Sequence, residues 1–278
     1  MLSALFLFLD ARLCLAFWIG LGLTASGATL QGLFKNPLAD PYILGVSGGA
    51  SLFGSLAMTF WGNANPLMIP MASMVGACVI CLLLFRITST ESILLAGLLV
   101  NAFASSLISL VKILLPAEQT QSLLFWLLGA VLPLDSKTLV FVGTAILAGV
   151  FFLLLKSHVV ELLSRGDHEA QQEGFNPAHE RRMIHLGVSL IVGVIISFCG
   201  FIGFVGLLVP QIARRILGSN QRILIPVSTL CGALILVSFD LLSRVVHLPM
   251  GILTALIGTP IFGFLAYAAH RKNIPSTP

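Results

Sequence analysis

Long apolar runs separated by short polar turns occupy most of this chain. Eight runs have about the 20 residues that a helix needs to cross the hydrocarbon core of a bilayer. They cover residues 13–34, 43–61, 67–85, 93–115, 138–155, 183–203, 223–242 and 249–269. A shorter ninth run at 204–217 is broken by Pro210 and closes with Arg214 and Arg215. This pattern predicts an all-α fold, a polytopic membrane helical bundle with about nine transmembrane helices.

Composition excludes the soluble classes of protein. Of the 278 residues, 57% are hydrophobic and only 9% are charged, and the mean hydropathy is +1.02. A soluble domain carries about 25% charged residues. The first ten residues are too short to span a membrane, and they lack the basic start and cleavage site of a secretory signal. We therefore expect one transmembrane domain over residues 1–278, embedded in the lipid bilayer.

The basic residues predict the orientation, because lysine and arginine accumulate on the cytoplasmic side. With the loop after the first run placed inside, only Arg12, Lys112, Lys137 and Arg244 of the 15 basic residues lie outside. The C-terminus is then cytoplasmic, in a multi-pass membrane protein. This asymmetry accounts for the net charge of +4 without a nucleic-acid partner.

One long polar stretch, 156–182, lies on the predicted cytoplasmic side between a front half, 1–155, and a rear half, 183–278. Gly166 and Gly174 flank a short helical patch within it, and Asn176 is placed to cap a second helix that starts at Pro177. The stretch is either a docking surface or a solvated linker. A second interruption, 116–137, is predicted to lie along the outer surface.

The chain has no residues for chemistry of its own. None of its five lysines follows a glycine, so it lacks the phosphate-binding loop of an ATPase. The histidines and cysteines have no metal-ligand spacing, so we expect no catalytic residue, metal or bound cofactor. Asp240 is the carboxylate nearest a helix centre; four residues before Arg244, it is either half of a structural pair or an ion-binding group.

Two segments are candidates for transport. The run 93–115 carries small and polar residues at steps of four, which stack on one face and either pack against another helix or line a path: Gly97, Asn101, Ser105 and Ser109. The segment 32–52 is a predicted turn, in which Pro37 and Pro41 end a helix and Asn36 and Asp40 offer side-chain caps.

Within that turn, NPLADPYILGVSGGA closely resembles the FecCD-like permeases of type II ATP-binding-cassette (ABC) importers, which carry iron-siderophores, haem and cobalamin. Further similar stretches are LLAG at 94–97, FWLLG at 125–129, and the segments 200–226 and 248–262. The resemblance implies a homodimer with a path between the two copies, two separate ATPase subunits that use ATP, and an extracytoplasmic binding protein. The family usually has ten crossings, so the first one is expected to be absent through a late start or a shortened chain.

The resemblance also implies roles for individual residues. The cytoplasmic gate is expected at Asn36, Pro37, Leu38, Thr90 and Glu91. Coupling to the ATPase is expected at Gly166, Ala170 and Gly174, and docking of the binding protein at Arg12 and Arg244.

These observations predict a permease subunit that moves an iron chelate into the cytoplasm by alternating access. One alternative is an ABC permease for cobalamin or another metal chelate, or one of the related metal-ion class for zinc or manganese. An alternative of a different class is an ion-coupled secondary transporter, which would work without an ATPase.

Overall fold

The computed structural model describes residues 2–61, 67–87 and 89–272, and every regular element within these ranges is helical. The predicted all-α fold class is confirmed. Besides a 3-10 helix at Pro41–Leu44, the elements are α1 (Leu2–Leu33), α2 (Val46–Trp61), α3 (Met68–Leu84), α4 (Thr90–Leu114), α5 (Ala117–Leu127), α6 (Ser136–Leu155), α7 (Ser157–Arg165), α8 (Asp167–Gln172), α9 (Pro177–Cys199), α10 (Val205–Leu217), α11 (Gln221–Val246) and α12 (Met250–Lys272).

Helix α1 is the central helix of the bundle. It contacts α6, α9, α10 and α11, and Leu15, Ile19 and Leu23 are fully buried. A helix that is apolar on all sides is expected in this position, because every face must be covered. The first ten residues, which the sequence sets apart from the first run, continue this helix from Leu2.

Glycines allow the central helices to approach closely. A methyl group at Gly20 would lie 2.5 Å from the carbonyl oxygen of Gly232 on α11, and one at Gly27 would overlap the backbone of Gly206 on α10. Helices in lipid associate largely through such close backbone packing, since lipid supplies little hydrophobic force between them. The contacts place α1 antiparallel to α11.

A second group, α2 to α5, packs beside the central group through contacts of α2 and α3 with α9. The predicted interruption at 116–137 contains α5, which packs against α2. We call the end of the bundle that holds α5 the α5 end, and the opposite end, which holds α7 and α8, the α8 end.

Each of the nine apolar runs falls largely on one helix, although the run 43–61 begins in the 3-10 helix and the run 183–203 extends four residues beyond α9. Five helices in the described ranges are long and apolar enough to cross a membrane: Ala11–Leu33, Glu91–Leu114, Ser136–Leu155, Pro177–Cys199 and Gln221–Val246. Met68–Leu84 and Met250–Leu265 are apolar but shorter, and α2 and α10 have 16 and 13 residues. The helices form a polytopic membrane bundle, and nine crossings remain a prediction.

The segment 34–45, which joins α1 to α2, re-enters the bundle instead of forming a turn at its end. Gly206 packs between the carbonyl oxygen of Leu23 and the ring of Pro41, which places Pro41 level with Leu23. Leu23 lies ten residues before the end of α1, which is about 15 Å along a helix. Non-helical backbone at such depth is tolerated only where protein buries it or where it lines a cavity.

We predict that Gly27→Val prevents the close contact of α1 with α10, because the added atoms meet backbone that cannot move aside. The cost should be about 1–3 kcal/mol, as for other overpacked cores. The measurement is the monodisperse yield and thermal midpoint of the purified protein in detergent. Gly263→Val is the matched control, since a side chain there meets open space; equal losses for both variants would contradict the packing described.

Candidate functional site

A cavity of about 520 Å³ lies where the segment 34–45 meets α2 and α4. We call it the α4 cavity. Its polar lining is mostly uncharged, with hydroxyls of Ser47, Ser51 and Ser105 and the amide of Asn101, and its charged residues are Asp40 and Lys112. Ile43, Ile108, Leu127 and Phe201 add apolar surface. The cavity could accommodate a ligand that has both apolar and hydrogen-bonding surface.

Asn101 holds the re-entrant segment against α4. Its amide nitrogen donates to the carbonyl oxygen of Tyr42 at 3.0 Å, and its amide oxygen accepts from the backbone nitrogen of Gly48 at 3.0 Å. The Ser47 hydroxyl lies within hydrogen-bond distance of that amide oxygen and of the Tyr42 carbonyl. One side chain therefore satisfies backbone groups of the 3-10 helix and of the first turn of α2, where an unpaired group within the membrane would be costly.

Tyr42 fixes the other side of the segment. Its hydroxyl donates to the carbonyl oxygen of Ile202 at 3.0 Å and accepts from the nitrogen of the same residue at 3.3 Å. Its ring packs against Phe201, with 4.3 Å between the ring centres. Asp40 caps the 3-10 helix by accepting from the nitrogen of Tyr42 at 2.8 Å, as the predicted cap requires.

The small and polar stripe of α4 serves both of the purposes considered for it. Gly97 packs against the backbone of residues 43–45, where a side chain would overlap the carbonyl oxygen of Ile43. Asn101 and Ser105 line the α4 cavity. Ser109 is exposed outside that lining, and its hydroxyl donates to the carbonyl oxygen of Ser105 at 2.9 Å.

The residues predicted for the gate lie in two places. In the turn after α1, Asn36 accepts from the nitrogen of Leu38 at 2.9 Å, and Gln211 on α10 donates to the carbonyl oxygen of Pro37. Leu38 is exposed.

The other two gate residues lie at the start of α4. Glu91 is exposed in the first turn, and the helix is capped by the hydroxyl of Ser89. The side chain of Thr90 lies outside the described residues.

A second cavity of about 470 Å³ lies at the α8 end, between the end of α1, α7 and the start of α11. Gln31, Lys35 and Arg214 line it together with Glu161. The Glu161 carboxylate accepts from the backbone nitrogen of Gln221 at 2.6 Å and from Arg165 at 2.9 Å. This carboxylate thereby ties α7 to the first turn of α11.

The polar stretch 156–182 is folded and is not an extended linker. It forms α7, α8 and the first turn of α9, where Asn176 caps the helix by accepting from Ala178 and His179, as predicted. Lys156 pairs with Glu180 at 2.6 Å. Arg181 donates to both oxygens of Asp167, at 2.9 and 2.5 Å.

The three residues predicted to couple to the ATPase lie in or beside α8. Ala170 is a residue of α8 and is fully buried. Gly166 and Gly174 flank the helix, and a side chain at either would meet open space. Gly174 has a φ of +84°, the left-handed conformation that favours glycine.

Arg12 and Arg244 share one buried carboxylate at the α5 end. Asp240 is fully buried and accepts from Arg12 Nε at 2.7 Å and from Arg244 Nε at 2.9 Å. The predicted pair of Asp240 with Arg244 is confirmed. The arginine side chains stay partly exposed, at 25% and 19%, so their remaining N–H groups face outward.

The sequence did not reveal three of the contacts that build the site. Tyr42 and Gln211 both hold the re-entrant segment, and Arg12 completes the pair at Asp240. Tyr42 and Gln211 both lie in stretches that resemble the permease family, which was the available signal. Their partners are distant in sequence, so spacing alone could not identify these contacts.

The comparisons with known proteins agree with this architecture. Residues 4–268 match the FecCD transport family. The chain belongs to this family. The resemblance seen in the turn at 36–50 and in the later stretches is thereby confirmed.

Family relatives include permeases with different named cargoes. The chain is 34% identical over 275 residues to the ABC transporter permease protein YvrB of Bacillus subtilis, covering 94% of this chain and 77% of that protein. It is 35% identical over 272 residues to the vitamin B12 import system permease protein BtuC of Vibrio cholerae, covering 93% and 81%. The hemin transport system permease protein HmuU of Yersinia pestis is 33% identical over 275 residues, covering 94% and 82%.

A solved structure shares the whole fold of this FecCD family member. An inward-facing conformation of a metal-chelate type ABC transporter superposes with a TM-score of 0.87 at 32% identity, covering 93% of this chain and 85% of that one. PsaBC from Streptococcus pneumoniae has a TM-score of 0.59 at 16% identity over 93% of this chain and 90% of that one, which shows the fold alone.

We predict that Asn101→Ala destabilises the protein by about 1–3 kcal/mol, because the backbone nitrogen of Gly48 loses its partner and the carbonyl oxygen of Tyr42 keeps only the Ser47 hydroxyl. Ser105→Ala is the matched control; it lines the same cavity on the same helix, and its side chain makes no hydrogen bond in the described structure. The measurement is the thermal midpoint in detergent. If the two variants lost the same stability, the role of Asn101 in holding the re-entrant segment would be contradicted.

The paired residues Asp167 and Arg181 predict a pH dependence. The hydrogen bond from Arg181 lowers the pKa of the Asp167 carboxyl below its ordinary 3.8. A carboxyl whose pKa is lower in the folded protein than in the unfolded chain stabilises the fold at pH values above the unfolded-state pKa. That contribution disappears as the pH falls through the folded-state pKa. Because Asp167 is half exposed, the contribution should not exceed about 1 kcal/mol.

Asp167→Asn should therefore lower the thermal midpoint at pH 7, and the difference from the unmodified protein should shrink below about pH 4, near the ordinary pKa of a carboxyl. Glu169→Gln is the control, because Glu169 is an exposed residue of the same helix whose side chain has no partner. A difference that stays constant down to pH 3 would mean that the pair does not stabilise the fold.

Proposed function

We propose that this FecCD family member is the permease subunit of an ABC importer that moves an iron chelate, a siderophore or haem, into the cytoplasm by alternating access. Two copies form the path, two separate ATPase subunits drive it, and an extracytoplasmic binding protein delivers the cargo. The chain itself binds no ATP and performs no covalent chemistry.

The α4 cavity is the observation that carries this proposal. Irregular backbone that enters the bundle to the depth of Leu23 is held in place by Asn101 and Tyr42, and it lines the cavity. Transporters use such broken segments at membrane depth for their paths, because the backbone can be satisfied there only by protein or by water in a cavity. The cavity is open along α4, where a second copy would complete the path.

The two ends of the bundle suit different partners. The α8 end carries the folded surface around Gly166, Ala170 and Gly174, and we place it in the cytoplasm against the ATPase. The α5 end carries the outward N–H groups of Arg12 and Arg244, which could pair with acidic residues of a binding protein. Such charged contacts steer and orient a transient partner.

The names of the relatives do not identify one cargo for this chain. Their names include vitamin B12, hemin, molybdate and iron-citrate systems. We rank iron-siderophore first, then haem, then cobalamin or another metal chelate.

The test is uptake into proteoliposomes that contain the chain together with the ATPase and binding protein encoded beside it. Uptake should require all three proteins and ATP in the compartment that faces the ATPase. Equal uptake by the chain alone, driven by an ion gradient, would instead support the secondary transporter.

We further predict that Gly174→Trp uncouples ATP hydrolysis from uptake, because Gly174 lies on the surface proposed to meet the ATPase and its backbone is left-handed. Uptake per ATP hydrolysed should fall at least ten-fold, while docking of the binding protein stays unchanged.

Gly218→Trp is the matched control for this variant. Gly218 has the same left-handed backbone, with a φ of +81°, and the same open surroundings at the end of α10. If both variants lost coupling equally, backbone strain and not the α8 surface would be the cause.

A further inference from the structure

The charged residues of the α4 cavity stand at its two ends. Asp40 lies beside Tyr42, whose carbonyl oxygen binds Asn101. Lys112 lies 11 residues further along the continuous helix α4, or about 16 Å toward the α5 end. At that distance the two groups cannot form an ion pair, so each determines the charge of its own part of the cavity.

Lys112 is not neutralised by the protein. It is half-buried in the cavity wall, and its ammonium group has no partner among the residues that the structure describes. Arg12 and Arg244, at the same end of the bundle, both hold the buried carboxylate of Asp240. Between Lys112 and Asn101 the polar lining is neutral, since Ser105 supplies a hydroxyl.

We infer that Lys112 makes the path selective for metal chelates that carry net negative charge. A cavity with walls of low dielectric constant concentrates the field of an unpaired charge, which raises the local concentration of ligands of opposite sign. A chelate that enters from the α5 end meets the ammonium group before it reaches the uncharged lining. This inference rests on the proposed transport function, and in a homodimer two such lysines would act on the same cargo.

A purely structural role for Lys112 makes a different prediction. Lys112 lies in the last turn of α4, where a cation also stabilises the helix dipole. That role would affect the stability of the protein but not the charge preference of transport. The experiment therefore needs variants of Lys112 that separate the effect of charge from the effect on stability. As a control it also needs a variant of a cation at the same end that does not line the cavity.

The experiment measures initial uptake in proteoliposomes that contain the permease, its ATPase and its binding protein. The probes are the iron-siderophore ferric enterobactin, ferric dicitrate and haem, which are anions, and cyanocobalamin, which has almost no net charge. We expect the complex to import one of the anions. Lys112→Glu should lower its uptake at least ten-fold and Lys112→Gln several-fold, whereas Lys112→Arg, which keeps the charge, should stay within two-fold.

Lys137→Glu is the matched control, because Lys137 is exposed at the α5 end outside the α4 cavity. It should leave uptake within two-fold, and the defect of Lys112→Glu should diminish at high salt, where charges are screened. Each variant is first checked for monodispersity and ATPase activity, so that a folding defect is recognised; Lys112→Gln then carries the test.

The outcomes distinguish the proposed transport function from the inferred role of Lys112. Uptake without the ATPase would count against the proposed function, whereas ATP-dependent transport that accepts none of the three anionic probes would count against the inferred selectivity. ATP-dependent import of cyanocobalamin in preference to the anions, or equal effects of Lys112→Glu and Lys137→Glu, would overturn the role of Lys112 and leave the transport function standing.

Discussion

The structure depends on satisfying the backbone of the segment 34–45 at membrane depth. In lipid each unpaired N–H or C=O group costs several kcal/mol, so irregular backbone needs partners from the protein itself. Asn101 supplies them from α4, and the hydroxyl of Tyr42 connects the segment to the loop before α10. The bundle can therefore contain a cavity without leaving these backbone groups unpaired.

Close packing of the other helices makes this arrangement possible. The glycines of α1 allow α10 and α11 to approach until backbones touch, so the central group forms a compact wall behind the re-entrant segment. The second group meets that wall through α3 and α9, and leaves Ser105 and Ser109 of α4 exposed. The glycines of α1, which carry no distinctive signal in the sequence, thus help to determine where the cavity lies.

Local features of the fold could be predicted from the sequence, and long-range ones could not. Apolar runs predicted the helices, and caps such as Asn176 or pairs four residues apart such as Asp240 with Arg244 follow from spacing along one helix. The partner of Asp240 on α1 is 228 residues away, and its contact depends on the register of two packed helices. The depth of the segment 34–45 was missed for the same reason, because its prolines and caps also suit a surface turn.

The links along α1 and α11 have a mechanical consequence. The two helices are joined at the α5 end by Asp240, along their middle by glycine contacts, and at the α8 end by packing of Gly32 against Gln221, whose backbone nitrogen also donates to Glu161 of α7. Joined at three levels, they would behave as a stiff lever. A displacement of α7 would then carry over to the α5 end of the bundle, while bending would concentrate in the irregular segment 34–45 that joins α1 to α2.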